Sequence, residues 1–197
     1  MRDVIAAAVT IGLTFCAAGP ARAQLGAELR ASTSEYRYLD VNYTFGSGAM
    51  VDALYNGVPG QNELYLGAGY TFSPASWLSL IPIGYGVIGK ENEERGLVLG
   101  GYLWLETGPY TAIAYLGRFI HLRGGVASYD FLDTLDVTRT VAGPWEVGVS
   151  STVYRDGSDW SHQTGPMIKR NDSKGSWALS VRWGFEDEIR LVRILTF

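Results

Sequence analysis

Apolar side chains recur at every second residue over stretches of about ten residues, which is the length a β-strand needs to cross a bilayer. Leu64, Leu66, Ala68, Tyr70 and Phe72 alternate with Glu63, Tyr65, Gly67, Gly69 and Thr71. Leu97, Leu99, Leu103 and Leu105 alternate with Gly100, Tyr102, Trp104 and Glu106. The pattern returns where Trp145, Val147, Val149 and Val153 oppose Glu146, Gly148, Ser150 and Tyr154, and where Trp177, Leu179, Val181, Trp183 and Phe185 oppose Ala178, Ser180, Arg182 and Gly184. A two-residue period sends successive side chains to opposite faces of a strand, so the class is all-β with one oily face and one small or polar face. Sandwiches and lipocalin-like barrels alternate too, but they turn the oily face inward and meet water with Lys, Glu and Thr. Here the non-oily face is rich in glycine and tyrosine with scattered charge, the arrangement of a barrel whose oily face is outside. Periodicity alone leaves that choice open.

The ends of the chain bear on it. Arg2 precedes an apolar stretch at residues 4–18, and Ala21-Arg22-Ala23 is a small-x-small cleavage pattern. Residues 1–23 therefore read as a secretory signal peptide, and residues 24–197 as a single domain. No other segment approaches the roughly 20 continuous apolar residues of a spanning helix, so any membrane span must be built from strands. The formal net charge is −4 and stays acidic once the leader is removed, which argues against a nucleic-acid partner. Cys16 lies within the leader, behind Phe15 rather than the small residue of a lipoprotein signal. The mature chain then has neither disulfide nor thiol chemistry.

Connections alternate between short and long. Turn-forming residues cluster at Ser73-Pro74-Ala75-Ser76, Thr107-Gly108-Pro109, Ala142-Gly143-Pro144 and Asn171-Asp172-Ser173-Lys174-Gly175. Longer linkers fall at residues 46–61, 89–94, 122–133 and 156–163. Counting through this alternation predicts about ten strands, an even number with both ends on one side. They fall near residues 36–45, 62–73, 76–88, 95–106, 109–121, 134–142, 145–155, 164–170, 175–185 and 188–197. Residues 25–33 could add a strand and residues 126–131 another, raising the count to twelve, or residues 25–33 could form an arm inside the lumen.

The last strand carries the family signal. Ile189, Leu191, Leu195 and Phe197 alternate to the terminal aromatic, interrupted by Arg193. This tail resembles the ending of bacterial outer-membrane β-barrel proteins. The resemblance implies an antiparallel up-and-down transmembrane β-barrel with periplasmic termini, located in the outer membrane and inserted by the barrel-assembly machinery. Its partners would be outer-membrane lipid and lipopolysaccharide. Phe72, Trp77, Tyr110, Trp145, Trp177 and Phe197 would share one membrane interface, where aromatic side chains concentrate, and Phe45, Phe119 and Phe185 would mark the other.

The inner face is expected to collect Glu63, Glu106, Glu146, Arg118, Arg182 and Arg190 with Tyr65, Tyr102 and Tyr154. Charges inside a narrow barrel must pair with one another or line water. Catalytic candidates are sparse. His162 has Asp156, Asp159, Ser158 and Ser161 near it, and His121 has Arg123, Ser128 and Asp130, but such residues are also ordinary loop solvators. Neither histidine has a serine two positions on, as the lipid A deacylases do, and two distant histidines without cysteine give no metal-ligand spacing. The run Lys90, Glu91, Asn92, Glu93, Glu94 and Arg95 reads as a solvated loop tip. We therefore expect no catalytic residues, no metal and no cofactor. The expected function is a structural or narrow-channel barrel; the alternative is a surface enzyme or binding protein working through loops 46–61, 122–133 and 156–163.

Overall fold

A computed structural model describes residues 24–59, 61–89, 95–122 and 128–197. The expected leader, most of the charge run at 90–95 and the first two residues of the optional strand at 126–131 lie outside them. The described chain is built from strands alone: β1 (Gln24–Ser32), β2 (Arg37–Thr44), β3 (Ala49–Val58), β4 (Gln61–Tyr70), β5 (Phe72–Ala75), β6 (Leu78–Gly89), β7 (Gly96–Thr107), β8 (Tyr110–His121), β9 (Tyr129–Ala142), β10 (Trp145–Asp156), β11 (Asp159–Asp172), β12 (Gly175–Gly184) and β13 (Glu188–Thr196). Each long strand pairs antiparallel with the next, β4 pairs past the short β5 with β6, and β1 closes the ring on β13. The result is a closed up-and-down barrel of 12 strands, with β5 held as a flap against β6.

Twelve strands, and not about ten, follow from two segments. Residues 25–33 do add a strand, β1, and they are wall rather than an arm in the lumen. The other added strand is β3, which occupies the expected linker at 46–61, whereas residues 129–131 merely extend β9. The reason β3 escapes the pattern is chemical. Its inward Met50 and Leu54 are as apolar as its outward Val51 and Ala53, so the two-residue period disappears. The expected loops at 122–133 and 156–163 shrink for a related reason: β9 and β11 begin inside them, at Tyr129 and Asp159, with polar residues on both faces.

Hairpins on one rim are tight. Gly108 and Gly143 occupy the first central turn position at φ 55° and 52°, each followed by proline. Glycine tolerates that left-handed backbone, which matches the twist of the paired strands. Gln24, the first described residue, and Phe197 lie on this rim, here termed the terminal rim; the connections after β1, β3, β6, β8, β10 and β12 form the opposite rim.

Alternation decides what each wall shows. Leu29, Leu66, Leu99, Leu116, Val149, Ile168, Leu179 and Leu191 point outward around the ring and are all exposed. Soluble proteins rarely present an apolar surface this continuous. The packed core is inside instead, on the β2 to β9 side, where Met50, Leu54, Ile83, Val87, Val98 and Phe119 are buried with Tyr38, Tyr65, Tyr85 and Tyr115. Inward glycines make room for these rings: a Cβ on Gly67 would lie 2.4 Å from the Tyr85 ring, and one on Gly96 2.4 Å from the Phe119 ring.

Candidate functional site

The lumen has two unlike walls. On the β2 to β9 side it is aromatic. Tyr102 stacks on Tyr115 with centroids 4.4 Å apart, Phe119 stacks on Tyr129 at 5.2 Å, and Tyr65 meets Tyr85 edge-on at 6.0 Å. Rings interleaved this way add packing energy beyond their burial and leave the phenol oxygens free to seek polar partners. The Tyr65 hydroxyl donates to Glu63 at 2.6 Å, and the Tyr85 hydroxyl to Asp52 at 2.8 Å.

The facing wall, from β9 through β13 to β1, is ionic. Glu188 receives both Arg182 and Arg190, the latter at 2.9 Å, and Ser34 donates to it at 3.1 Å. Arg182 also donates to Thr152 at 2.6 Å. Nearer the terminal rim, Glu146 accepts from Thr138 and Asn171 at 2.5 Å each and from Lys169 at 3.4 Å. Buried guanidinium groups persist because each has a carboxylate, to which Arg182 adds the Thr152 hydroxyl and Arg190 the Tyr36 ring at 4.7 Å.

A strut joins the two sides. Arg30 on β1 holds Glu28 at 2.5 Å and reaches across the bore to Asp133 on β9 at 2.7 Å. In ring order β1 and β9 lie nearly opposite each other. The guanidinium is capped by the Tyr38 ring at 4.3 Å, and Asp133 also accepts the Tyr154 hydroxyl at 3.1 Å. Asp133 faces inward at a β-bulge, where the register of β9 shifts against both β8 and β10. Bulges commonly re-aim a single side chain in this way.

The strut divides the bore. A vestibule of about 490 Å³ opens at the terminal rim and ends at Glu28 and Tyr102. These two residues also line a central cavity of about 60 Å³ that holds Arg30 and Asp133. Beyond Asp133 a third space of about 70 Å³, walled by Tyr36, Tyr38, Tyr65, Tyr115, Tyr129 and Tyr154, faces the opposite rim.

Solved porins share this architecture. The KdgM porin superposes with a TM-score of 0.66 at 10% identity, over 88% of this chain and 99% of that one. The NanC porin gives 0.63 at 9% identity, over 87% and 98%. A structure described as KdgM porin in complex with disordered oligogalacturonate gives 0.61 at 11% identity, over 88% and 98%. The chain shares the fold of these porins. No protein-family model and no curated protein matches the chain.

Within this porin fold the sequence-chosen residues distribute as follows. Glu63, Tyr65, Tyr102, Glu106, Glu146, Tyr154, Arg182 and Arg190 point into the lumen by strand register. Arg118 is on the outer wall beside Asp130 at 3.8 Å, because its neighbour Phe119 takes the inward position on β8. Phe72, Tyr110, Trp145, Trp177 and Phe197 are exposed at the terminal rim, while Trp77, on the same rim, lines the vestibule. Three of these aromatics carry an arginine directly across the hairpin: Arg139 over Tyr110, Arg170 over Trp145 and Arg193 over Trp177. His162 faces outward on β11 opposite Val153, and His121 packs inside against Phe119 and Tyr129.

Sequence reasoning missed Glu28, Arg30, Asp40, Asp52, Asp133 and Glu188. For Glu28 and Arg30 a signal existed, since Leu25, Ala27, Leu29 and Ala31 alternate around them. For Asp133 none did, because a bulge has no periodicity.

Proposed function

We propose that this chain is an outer-membrane channel for small hydroxylated solutes, with the terminal rim on the periplasmic side. The single observation that carries the reading is the axial series of spaces on either side of the Arg30–Asp133 strut: the barrel is closed and its outer wall is apolar, yet beside the packed aromatic wall its interior leaves open volume lined by polar groups. The continuous belt of exposed Leu, Val and Ile supports a lipid boundary, and the aromatic–arginine pairs at the terminal rim suit a headgroup interface. Phenol hydroxyls and ring faces along one wall offer a sugar-like solute both hydrogen bonds and flat apolar contact. The porin named with oligogalacturonate supports an oligosaccharide-like cargo. Among the described residues β3 and β11 take up most of the expected loops at 46–61 and 156–163, which leaves little chain there for a loop-based surface activity.

Membrane fractionation should place the protein with outer-membrane markers, and purified barrel in a planar bilayer should give discrete conductance steps. Arg30→Ser should enlarge the step, because it withdraws the side chain that spans the bore. A barrel that folds and inserts but stays silent at every voltage, with Arg30→Ser equally silent, would refute the channel.

A further inference from the structure

Each basic side chain of the lumen meets a carboxylate. Arg30 meets Glu28 and Asp133, Arg182 and Arg190 share Glu188, and Lys169 meets Glu146. The vestibule is different. Its charged lining among the described residues is Glu28, Asp40, Asp52 and Glu106, without a lysine or arginine. Glu28 is the one of these that an arginine holds.

The partners of the other three are neutral. Asp40 accepts from Tyr38 at 3.2 Å and Asn42 at 3.3 Å, and Glu106 from the Trp104 indole at 2.8 Å. Asp52 is 6% exposed, its Oδ2 accepts from Tyr85, and its Oδ1, also buried, has no hydrogen-bond partner. Strand register sets these acids in a row: Glu28 lies directly opposite Asp40, and Asp52 lies opposite Asn42, one diagonal step from Asp40. Carboxyls this close and this buried do not both ionise, so Asp40 and Asp52 together carry about one negative charge. The acids are spread along a wall and do not converge as chelating ligands; their effect is a field. A cleft lined by one sign of charge concentrates the opposite ion inside low-dielectric walls.

From this row we infer, on the basis of the channel reading above, that the vestibule selects for cations and that the cargo is a cationic or neutral hydroxylated solute, not a polyanion. Oligogalacturonate is a chain of carboxylates, and the vestibule would repel it. The conserved architecture therefore carries a charge preference opposite to that expected of a polyanion channel.

The test is the reversal potential of the inserted full-length barrel across a potassium chloride gradient, followed by current block with glucosamine and galacturonate oligomers of equal length. Potassium should permeate in preference to chloride, and the glucosamine oligomer should block from the terminal-rim side where the galacturonate oligomer does not. Asp40→Asn with Asp52→Asn, which removes about one charge, should lower the potassium-to-chloride ratio by at least about fivefold, since one unit charge about 4 Å from an ion in water-like surroundings changes that ion's occupancy by about this factor. Glu106→Gln, at an exposed rim position that does not bear on folding, should shift the ratio in the same direction. Asp172→Asn, on the outer wall, should leave it unchanged. A conducting barrel that prefers chloride, or one whose ratio ignores all three vestibule carboxylates, would overturn the inference and leave the channel standing. Absence of any conductance would overturn both.

Discussion

Glu188 is the residue on which most of the ionic wall depends. It is 3% exposed and holds two guanidinium groups, one of them on Arg182, itself 1% exposed. Removing one partner from a buried pair leaves the other charge uncompensated, at a cost of about 3–5 kcal/mol. Glu188→Gln should therefore destabilise the barrel by that order, read as a lowered temperature for loss of the compact, heat-modifiable band in detergent. Arg182→Met with Glu188→Leu should recover part of the loss, because it leaves no orphaned charge on Arg182 while Arg190 still loses its carboxylate. Equal loss in the single and double variants would show that the ion pair is not the source. Arg193 illustrates the same logic at the surface. In the sequence it interrupts an apolar tail; in the barrel it lies over Trp177 at 4.9 Å and bonds Asp172 at 2.7 Å, a fitting place for an arginine beside a membrane interface. The sequence places Arg182 and Arg190 inward by parity but says nothing of Glu188 as their shared partner. That pairing depends on how β12 and β13 meet.

Among the elements, β11 shows how the wall tolerates residues that strands usually reject. Pro166 lacks an N–H and sits in the middle of a closed sheet, and the pairing of β11 with β12 is interrupted between Thr164 and Met167. Proline in a central strand forfeits a ladder bond, which accounts for the gap. Beside it, a Cβ on Gly165 would lie 1.8 Å from the Val181 carbonyl oxygen. Backbone cannot yield as a side chain can, so Gly165→Ala should cost about 1–3 kcal/mol, the usual range for overpacking. Gly86→Ala, where a Cβ meets nothing within 4 Å, should cost far less. Thermal unfolding of the two variants in the same detergent checks this, and comparable losses would argue against a close-approach role for Gly165. Strands with a clean alternation, such as β7, β10 and β12, were legible to within a few residues. Those with mixed faces were not, because β3 turns apolar residues to both sides and β9 resets its parity at a bulge.

For the whole molecule, closure is the decisive event. The seam between β1 and β13 runs from Ser32 opposite Arg190 to Gly26 opposite Thr196, and beyond it the Phe197 N–H donates to the Leu25 carbonyl at 2.9 Å. Phe197 is 65% exposed, so it adds little to packing within the barrel. Deleting it should leave the thermal stability of barrel refolded in detergent nearly unchanged while sharply reducing the amount inserted in cells. A large loss of stability in vitro, or normal insertion, would contradict a role confined to assembly.

Periodicity and turn chemistry by themselves determined that the chain is all-β, which face of most strands is oily, where the turns at 107–109, 142–144 and 171–175 fall and that the terminal aromatic ends an outward row. Those properties are local, because a two-residue period and a Gly-Pro turn act within one hairpin. Only the closed barrel decided that β1 and β3 complete a ring of 12 strands, that Arg118 stands outside, that Arg30 meets Asp133 across the bore and that unneutralised acids gather in one vestibule. These depend on contacts between residues 103 positions apart for Arg30 and Asp133 and farther still across the seam, and no short-range pattern encodes a distance that exists only after the first strand has paired with the last.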